Sequence, residues 1–494
     1  MIGSLFISCS TYSSSINLDG KVENPNGDEW LAENIEFSED STIPKDWWNI
    51  FRDENLNIIM NEFLNNNYDL KIALLSLQAS QSLSVFNKSS LLPDLSFGLG
   101  NSIKQTNNKG TQFEDMGIPT MDSIAYSGDS DSGDPDPTIY FISGFKKLEE
   151  ISLTENHQLS LSSRWEVDLW GKMSLNNLSI DKDLEIQQND FNFFKFSLIS
   201  QAIKIYFNVV ELNEQVSLAN SSVIANQDVF NIVEERYNKG IGASLLDYRL
   251  AKSNLLISQA SLERRKMTLD SYKRRLEAFI GRYPTGNVLI SSSLSNYLPV
   301  IPGNLPSDII KNRPDIISSY NKIESAELDL YHANKMKYPS FNLTSSIGTS
   351  SGELKDILNG DALVWGLGSN ILLPIFQNGK LKANEDLAGS IYEKAKVEYY
   401  DILLKAFSEI ENKLAVSQML DTQVFLLIEA LSEVEKTYEL AKDRYNKGLI
   451  DLITVIDSQK RMFDTRSQMI IARKALIENR IDLLICLGGD FSEL

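Results

Sequence analysis

A five-residue sequence occurs twice in this chain, and the repeat constrains the architecture more than any other feature. The two copies are identical: Arg236-Tyr237-Asn238-Lys239-Gly240 and Arg444-Tyr445-Asn446-Lys447-Gly448. A Gly-Lys pair recurs with the same separation, at 171–172 and 379–380. Because self-similarity at one fixed offset indicates an internal duplication, the chain is interpreted as two copies of one structural unit.

Each pentapeptide ends a long stretch with helical periodicity. The second copy follows apolar residues spaced alternately by three and four, as in a coiled-coil seam: Val424, Leu427, Leu431, Val434, Tyr438 and Ala441. Basic residues favour the last turn of a helix, and glycine is common just past its end. None of the thirteen prolines lies between Pro137 and Pro284 or after Pro374. The pattern predicts two long helical hairpins, 171–281 with its tip at 236–242 and 379–489 with its tip at 444–450.

Ahead of each helical hairpin the period changes. Apolar residues alternate with small or polar ones, which is typical of strands with one apolar face. A helix is predicted from 53 to 88 and ends before Pro93. The predicted organisation is an extended N-terminal region (1–52), a first repeat (53–281, β-hairpin 95–170), a linker (282–305), a second repeat (306–489, β-hairpin 340–374) and a tail (490–494).

The alternation alone leaves two interpretations of the strands open. They could form two ordinary hairpins, each with one face on a soluble core. They could also belong to a membrane barrel with its apolar face outward, for which strands of about 9–11 residues suffice. Four strands cannot close a barrel, because known membrane barrels need at least eight, so in lipid several chains would have to contribute. The helical hairpins, too long to fold on a core of their own, favour the second interpretation.

Composition excludes several classes of function. The formal net charge is −20 and no basic stripe is present, so nucleic-acid binding is not expected. Two cysteines and two histidines, widely separated, provide neither a disulfide framework nor a metal cluster. No nucleophile–base set or phosphate-binding loop is visible. We therefore expect neither a cofactor nor enzymatic activity.

The N-terminal segment carries a candidate modification site. Phe6-Ile7-Ser8-Cys9, followed by Ser10, resembles a bacterial lipobox, in which a short apolar stretch and a small residue precede the acylated cysteine. The alternative is an incidental cysteine in a disordered N-terminus. A lipobox predicts acylation of Cys9 and a lipid anchor.

Several motifs, in order along almost the whole chain, resemble those of the TolC-like outer-membrane efflux proteins. The resemblance is closest to the lipoprotein branch that serves multidrug pumps of the RND type. The motifs are Trp165-Glu166-Val167-Asp168-Leu169-Trp170-Gly171-Lys172, Leu305-Pro306-Ser307-Asp308, Arg313-Pro314-Asp315, Tyr338-Pro339 and Leu373-Pro374-Ile375-Phe376-Gln377-Asn378-Gly379-Lys380-Leu381.

This resemblance implies a mainly α fold with a membrane β-barrel, built as a homotrimer. Three duplicated chains would form a twelve-stranded barrel in outer-membrane lipid, continuous with a twelve-helix periplasmic α-barrel. The function implied is a passive exit duct for small molecules. Its implied partners are a periplasmic adaptor protein and an inner-membrane RND-type pump.

The resemblance also suggests roles for residues near the tips. Family members close the tunnel just beyond the Arg-Tyr motif, which places Asp457, Tyr445, Ile453, Asp247 and Lys460 at the constriction. Both pentapeptides are implied to contact the adaptor. Elementary roles compete with these, because acids near a helix start favour the dipole and glycines cap helices. Glu166, Asp168 and the overall charge predict an acidic lumen that disfavours anions.

Two further functions are considered. One is a duct for protein secretion with the same fold and another type of pump. The other is a soluble coiled-coil scaffold without a pore, which would remain in solution without detergent.

Overall fold

The computed structural model describes residues 37–38, 46–113, 145–298, 301–302 and 312–487. The chain divides into two compact units. The helical unit comprises the chain up to Lys88, Gly171–Met336 and the chain from Phe376, and the strand unit comprises Ser89–Trp170 and Lys337–Ile375. The helices are α1 (Glu54–Asn66), α2 (Tyr68–Lys88), α3 (Lys172–Lys239), α4 (Leu245–Phe279), α5 (Pro314–Lys335), α6 (Lys380–Asn446) and α7 (Leu452–Cys486). The strands are β1 (Phe37–Ser38), β2 (Asp94–Phe113), β3 (Phe145–Val167), β4 (Ile301–Pro302), β5 (Ser340–Ser351) and β6 (Leu363–Leu372).

The helix predicted from 53 to 88 is two helices. Asp53 caps α1 through hydrogen bonds that its side chain accepts from the backbone of Asn55 and Leu56. The chain then breaks at Asn67, whose amide donates to the carbonyl of Phe279 at 2.7 Å, while its side-chain oxygen accepts from Leu70 N. The break thus combines a local cap of α2 by the Asn67 side chain with a tertiary contact, and periodicity does not reveal the contact.

The two long helices, α3 and α6, organise the helical unit. Each begins after a glycine with positive φ, Gly171 or Gly379. Near its start α3 packs between α2 and α5, and nearer its end it packs between α4 and α7. The helix α6 packs on α5 and α7. The elements therefore form two rows, α2-α3-α5-α6 and α4-α3-α7-α6, with α6 at an edge of both.

Aromatic side chains fill the main core of this unit. Trp47 and Phe51 from the N-terminal segment pack on Phe196 and Phe207 of α3. Burying one such side chain contributes roughly 1.5–3 kcal/mol. The cluster also draws residues from α4, α7 and the segment after α4, so it joins both repeats.

A polar network lies within this core. The Tyr206 hydroxyl donates to Asp53 Oδ2 at 2.6 Å, and Ser291 Oγ donates to Asp53 Oδ1 at 2.8 Å. Glu277, fully buried, accepts from Gly286 N at 2.6 Å and Asn287 N at 2.9 Å. These bonds fix the segment that follows α4 against the helices, because a buried carboxylate without partners would be costly.

The strand unit is one antiparallel sheet in the order β2-β3-β5-β6. Its first hairpin pairs Asp94 with Arg164 and Phe113 with Phe145, whereas β3 and β5 pair only from His157 with Ser351 to Val167 with Phe341. The β2–β3 ribbon therefore extends beyond the rest of the sheet.

Its two faces differ in character. One row of directly paired residues crosses all four strands on the apolar face: Phe97, Leu161, Ile347 and Trp365. The neighbouring row on the other face is Ser96, Ser162, Ser346 and Gly366. All four side chains of the apolar row are exposed, and the exposed fraction of Trp365 is 76%. An exposed apolar face this regular indicates a surface covered by lipid or another protein.

Candidate functional site

The two pentapeptides form two nearly identical turns at the ends of α3 and α6. Gly240 and Gly448 both have positive φ, near 70°. In the first turn Gly240 N donates to Tyr237 O and Ile241 N to Arg236 O. In the second turn Gly448 N donates to Tyr445 O and Leu449 N to Arg444 O. This is the common C-terminal helix cap in which a glycine adopts the left-handed conformation that residues with a β-carbon rarely adopt.

The return helices begin with different caps. At α4, Ser244 and Asp247 form a reciprocal capping box, in which Ser244 Oγ accepts from Asp247 N and Asp247 accepts from Ser244 N. At α7, Asp451 accepts from Thr454 N and Oγ1, and these bonds lower its pKa. Asp247 is therefore engaged at the first tip in fixing the start of α4.

Arg236 joins the two repeats at this end of the helical unit. Its guanidinium donates to the carbonyls of Tyr445 at 3.2 Å and Asn446 at 2.9 Å. It also lies over the Tyr445 ring, 4.6 Å from the centroid. The residue thus donates to the Asn446 carbonyl at the end of α6 and adds a second donor to the Tyr445 carbonyl, which also accepts from Gly448 N. We call these contacts the Arg236 bridge.

Tyr445 is the buried centre of this region. It packs in a cluster that joins α3, α4, α6 and α7: Val229, Val233, Ala251, Tyr438, Leu452, Val455 and Met462. Burial raises the pKa of its phenol, the Arg236 guanidinium lowers it and the nearby Asp247 carboxylate raises it. Tyr237, the equivalent residue of the first copy, is 38% exposed and packs against Tyr248 in a tilted arrangement, with 5.4 Å between the ring centroids.

The sequence profile of the family described as "Outer membrane efflux protein" matches residues 59–282 and 305–489. The chain belongs to this family. The matched ranges cover most of both repeats, so the predicted resemblance is confirmed, and with it the function of an efflux duct of the outer membrane. The soluble scaffold is excluded as an alternative.

Named relatives agree with this assignment. The toluene efflux pump outer membrane protein TtgF of Pseudomonas putida is 25% identical over 451 residues, which are 91% of this chain and 86% of the relative. The cation efflux system protein CusC of Escherichia coli is 23% identical over 446 residues, 90% of this chain and 88% of the relative.

Solved structures agree on the fold. The outer-membrane channel OprN superposes with a TM-score of 0.79 at 19% identity, over 96% of this chain and 99% of its own. The Campylobacter jejuni channel CmeC superposes with 0.76 at 23% identity, over 94% and 97%. The predicted fold class, mainly α with membrane strands, is confirmed by these matches.

In this efflux protein, the predicted constriction residues lie in different environments. Tyr445 is buried, whereas Ile453 is 60% exposed on the first turn of α7. Asp457 lies one turn further along and pairs with Arg461 at 2.9 Å. Lys460, predicted beside Asp457, is exposed. The neighbouring Arg461 is the cation that contacts the Asp457 carboxylate. Cys9 lies outside the described residues.

The predicted adaptor-contact residues form exposed tips. Asn238, Lys239 and Gly240 are exposed, as are Arg444, Asn446, Lys447 and Gly448. Matching ion pairs brace the two ends, Glu235 with Lys239 and Asp443 with Lys447. Beyond each glycine stands an exposed aliphatic residue, Ile241 or Leu449.

Sequence reasoning missed three residues of this site. Ser244 and Asp451 are caps, and Arg461 holds Asp457. All three had a readable signal: a Ser-x-x-Asp capping box, an aspartate directly before the apolar start of a helix, and an acid four residues before an arginine on a helix. The Arg236 bridge had none, because it joins residues of different repeats.

Proposed function

We propose that three copies of this chain form the outer-membrane exit duct of a tripartite efflux system for small molecules. A periplasmic adaptor and an inner-membrane RND-type pump would supply the cargo. Support for small cargo comes from relatives named for toluene and cation efflux. The observation that carries the proposal is a four-stranded sheet with one apolar face and two edge strands, β2 and β6, that have no further partner among the described residues.

The sheet supports the trimer in the following way. Lipid provides no hydrogen-bond partners for the edges of a sheet, so a membrane sheet must close into a barrel. Four strands are too few, and three copies give twelve. The apolar rows then face lipid and the serine-rich face lines the lumen. The elongated β2–β3 ribbon would continue beyond the apolar band.

The helical unit independently supports lateral contact between copies. Exposed apolar side chains are frequent on the helices at the row edges: Ile72, Leu75 and Phe86 of α2, Leu256, Ile257 and Met267 of α4, and Val397, Met419, Phe425 and Leu426 of α6. Among the described helices, α6 alone is long and apolar enough to cross a membrane, yet only 11% of its most apolar stretch is buried. Burial of these edges against a neighbouring copy explains that exposure.

The tips support a closed resting gate. The Arg236 bridge would hold the α3 and α6 ends together, with Tyr445 packed behind it and Asp247 beside it. Ile453 and Asp457, both exposed within one chain, would point toward the axis with their counterparts in the other copies. Adaptor binding would shift the population to an open state by binding that state better. The exposed residues of both tips, Ile241 and Leu449 included, would form the adaptor contact.

The N-terminal sequence supports a lipid anchor at Cys9 in addition to the barrel. Ser8 and Ser10 on either side are the small residues that such a site favours. Mass spectrometry of the membrane-extracted protein would show a diacylglyceryl adduct on the peptide beginning at Cys9. A peptide that still begins at Met1 and carries an unmodified Cys9 thiol would contradict the anchor.

One experiment tests the assembly. The cell envelope is fractionated, and the detergent-solubilised particle is weighed by native mass spectrometry. We expect outer-membrane fractionation and a mass of three chains. A monomer or dimer that stays in solution without detergent would overturn the proposal.

The adaptor contact is tested by photo-cross-linking from Asn238 and Asn446, with Asn287, in the segment after α4, as the control position. Capture of an adaptor protein from the tips alone is expected. Cross-links to lipid alone from either tip position would contradict the contact.

A further inference from the structure

A cleft of about 500 Å³ lies on the serine-rich face of the sheet. Residues of this face line it from all four strands: Asp94 and Ser96, Ser162 and Arg164, Thr344 and Ser346, and Gly366 and Gly368. This volume is within the usual range of small-molecule sites. We propose that this cleft is a transit site for a carboxylate or phosphate group of the exported compound, and that Arg164 is the residue that binds it. The proposal rests on the proposed duct, which makes this face the wall of the lumen.

The first argument is the state of Arg164. Its backbone N–H donates to Asp94 Oδ1 at 2.7 Å, but its guanidinium has no hydrogen-bond or ion-pair partner among the described residues. The side chain is exposed and lines the cleft. A guanidinium presents a fork of N–H donors that matches carboxylate and phosphate oxygens. The donors of Arg164 are thus available to a ligand.

The second argument is the chemistry around Arg164. Ser162 lies two residues from Arg164 on the same face of β3, and Thr344 is the direct partner of Arg164 on β5. The hydroxyls of Ser96 and Ser162 lie 2.8 Å apart, and Ser96 Oγ also lies 3.4 Å from the Ser162 carbonyl oxygen, so the cleft wall here is a row of hydroxyl groups. Large apolar side chains are absent from these positions. The wall of the cleft therefore presents mostly polar groups to a ligand, although Leu367 also borders it.

The third argument explains why the cleft is open. Gly366 and Gly368 of β6 stand opposite Ser346 and Thr344. A Cβ at position 368 would lie 3.1 Å from Thr344 Oγ1, and one at position 366 would lie 3.4 Å from Ser346 Oγ. Side chains at these two positions would therefore fill the space that a ligand needs.

Asp94 lowers the affinity of the site for anions. Its carboxylate is in the same cleft and repels an anion held by Arg164. A conducting site must bind well enough to admit a solute and weakly enough to release it. Removing the Asp94 charge is therefore expected to strengthen anion binding. The site also qualifies the expectation of an acidic lumen that disfavours anions, because Arg164 and Lys104 lie on the same face as Asp94 and Glu166.

Arginine-specific labelling tests the site directly. The purified protein is placed in phosphatidylcholine vesicles and treated with phenylglyoxal, and each arginine peptide is quantified by mass spectrometry. Inorganic phosphate is compared with chloride at equal ionic strength. We expect phosphate to slow the labelling of Arg164 about fivefold, because charge-assisted hydrogen bonds in an open cleft bind an anion only weakly. Arg249 and Arg264 are internal controls, because both are exposed and neither lines the cleft.

Variants separate the site from general charge screening. Asp94→Asn is expected to increase protection of Arg164 by phosphate, and Ser96→Ala with Ser162→Ala is expected to reduce it by more than half. Equal protection of Arg164, Arg249 and Arg264 would overturn the proposal. So would protection unchanged in both variants.

Two further arms complete the test. Vesicles that contain an anionic phospholipid, without added phosphate, report whether a lipid headgroup occupies the site. If Arg164 is protected in these vesicles but not by free phosphate, the assignment to a passing solute is overturned. Conductance is measured on the same vesicles. Absence of a pore refutes the proposed duct, whereas a conducting pore with unprotected Arg164 refutes the transit site alone.

Discussion

Arg236 and Arg444 occupy the same place in identical pentapeptides, yet their side chains differ in what they contact. Arg236 makes the Arg236 bridge, whereas the exposed Arg444 guanidinium has no partner among the described residues. We expect Arg236→Ala to weaken the closed state by about 1 kcal/mol, because it removes two hydrogen bonds from a charged donor at a partly exposed site. Single-channel conductance in planar bilayers should rise, with Arg444→Ala as the matched control.

The outcome distinguishes closing contacts within one chain from closing contacts between copies. A rise with Arg236→Ala and no change with Arg444→Ala supports closure within one chain. A rise with Arg444→Ala alone would place the closing contacts between copies and contradict the role given to the Arg236 bridge.

Tyr206 provides a second prediction at the residue scale. Burial and the hydrogen bond to Asp53 raise the pKa of its phenol above the ordinary 10.0. Above pH 10 the unfolded chain therefore loses this proton while the folded chain keeps it, so stability falls as pH rises. Tyr206→Phe should lower stability by about 1–3 kcal/mol at pH 8, because Asp53 loses a buried donor.

The measurement is thermal unfolding in detergent between pH 8 and pH 11. The difference between the native chain and Tyr206→Phe should shrink by about 1.4 kcal/mol for each pH unit above 10. Tyr283→Phe is the control, since Tyr283 is 82% exposed. A pH-independent difference would show that the hydroxyl has an ordinary pKa.

At the scale of elements, Gly348 allows β3 and β5 to pair closely. A Cβ at this position would lie 2.0 Å from the Leu159 carbonyl oxygen, a distance that backbone atoms cannot accommodate without displacement. Gly348→Ala should therefore separate the strands and reduce the yield of assembled protein in the outer membrane. Gly100 lies on β2, on the same face of the sheet as Gly348, and no atom is within 4 Å of a Cβ added there. Gly100→Ala should therefore leave the yield unchanged. Equal yields for both variants would contradict the close approach.

The elements also show what periodicity can and cannot predict. The alternation in β2, β3, β5 and β6 and the glycine-capped ends of α3 and α6 depend on local patterns, and both could be read from the sequence. The hydrogen bond from Asn67 to Phe279 and the Arg236 bridge depend on partners more than two hundred residues away. No local pattern encodes such contacts. Cross-strand register has the same origin, so the cleft around Arg164 emerged only from the paired strands.

At the scale of the whole molecule, the proposed barrel requires that one face of the sheet meet lipid and the other meet water. Ile347 and Ser346 are neighbours on β5 and point to opposite faces. Ile347→Arg should place a charge in the apolar band and cost about 2–4 kcal/mol near the membrane midplane. Outer-membrane assembly, measured as heat-resistant trimer in envelope fractions, should then fall sharply, whereas Ser346→Arg should assemble normally because its side chain reaches the aqueous lumen. Reversed outcomes would mean that the serine-rich face meets lipid, and equal losses would mean that neither face is aqueous.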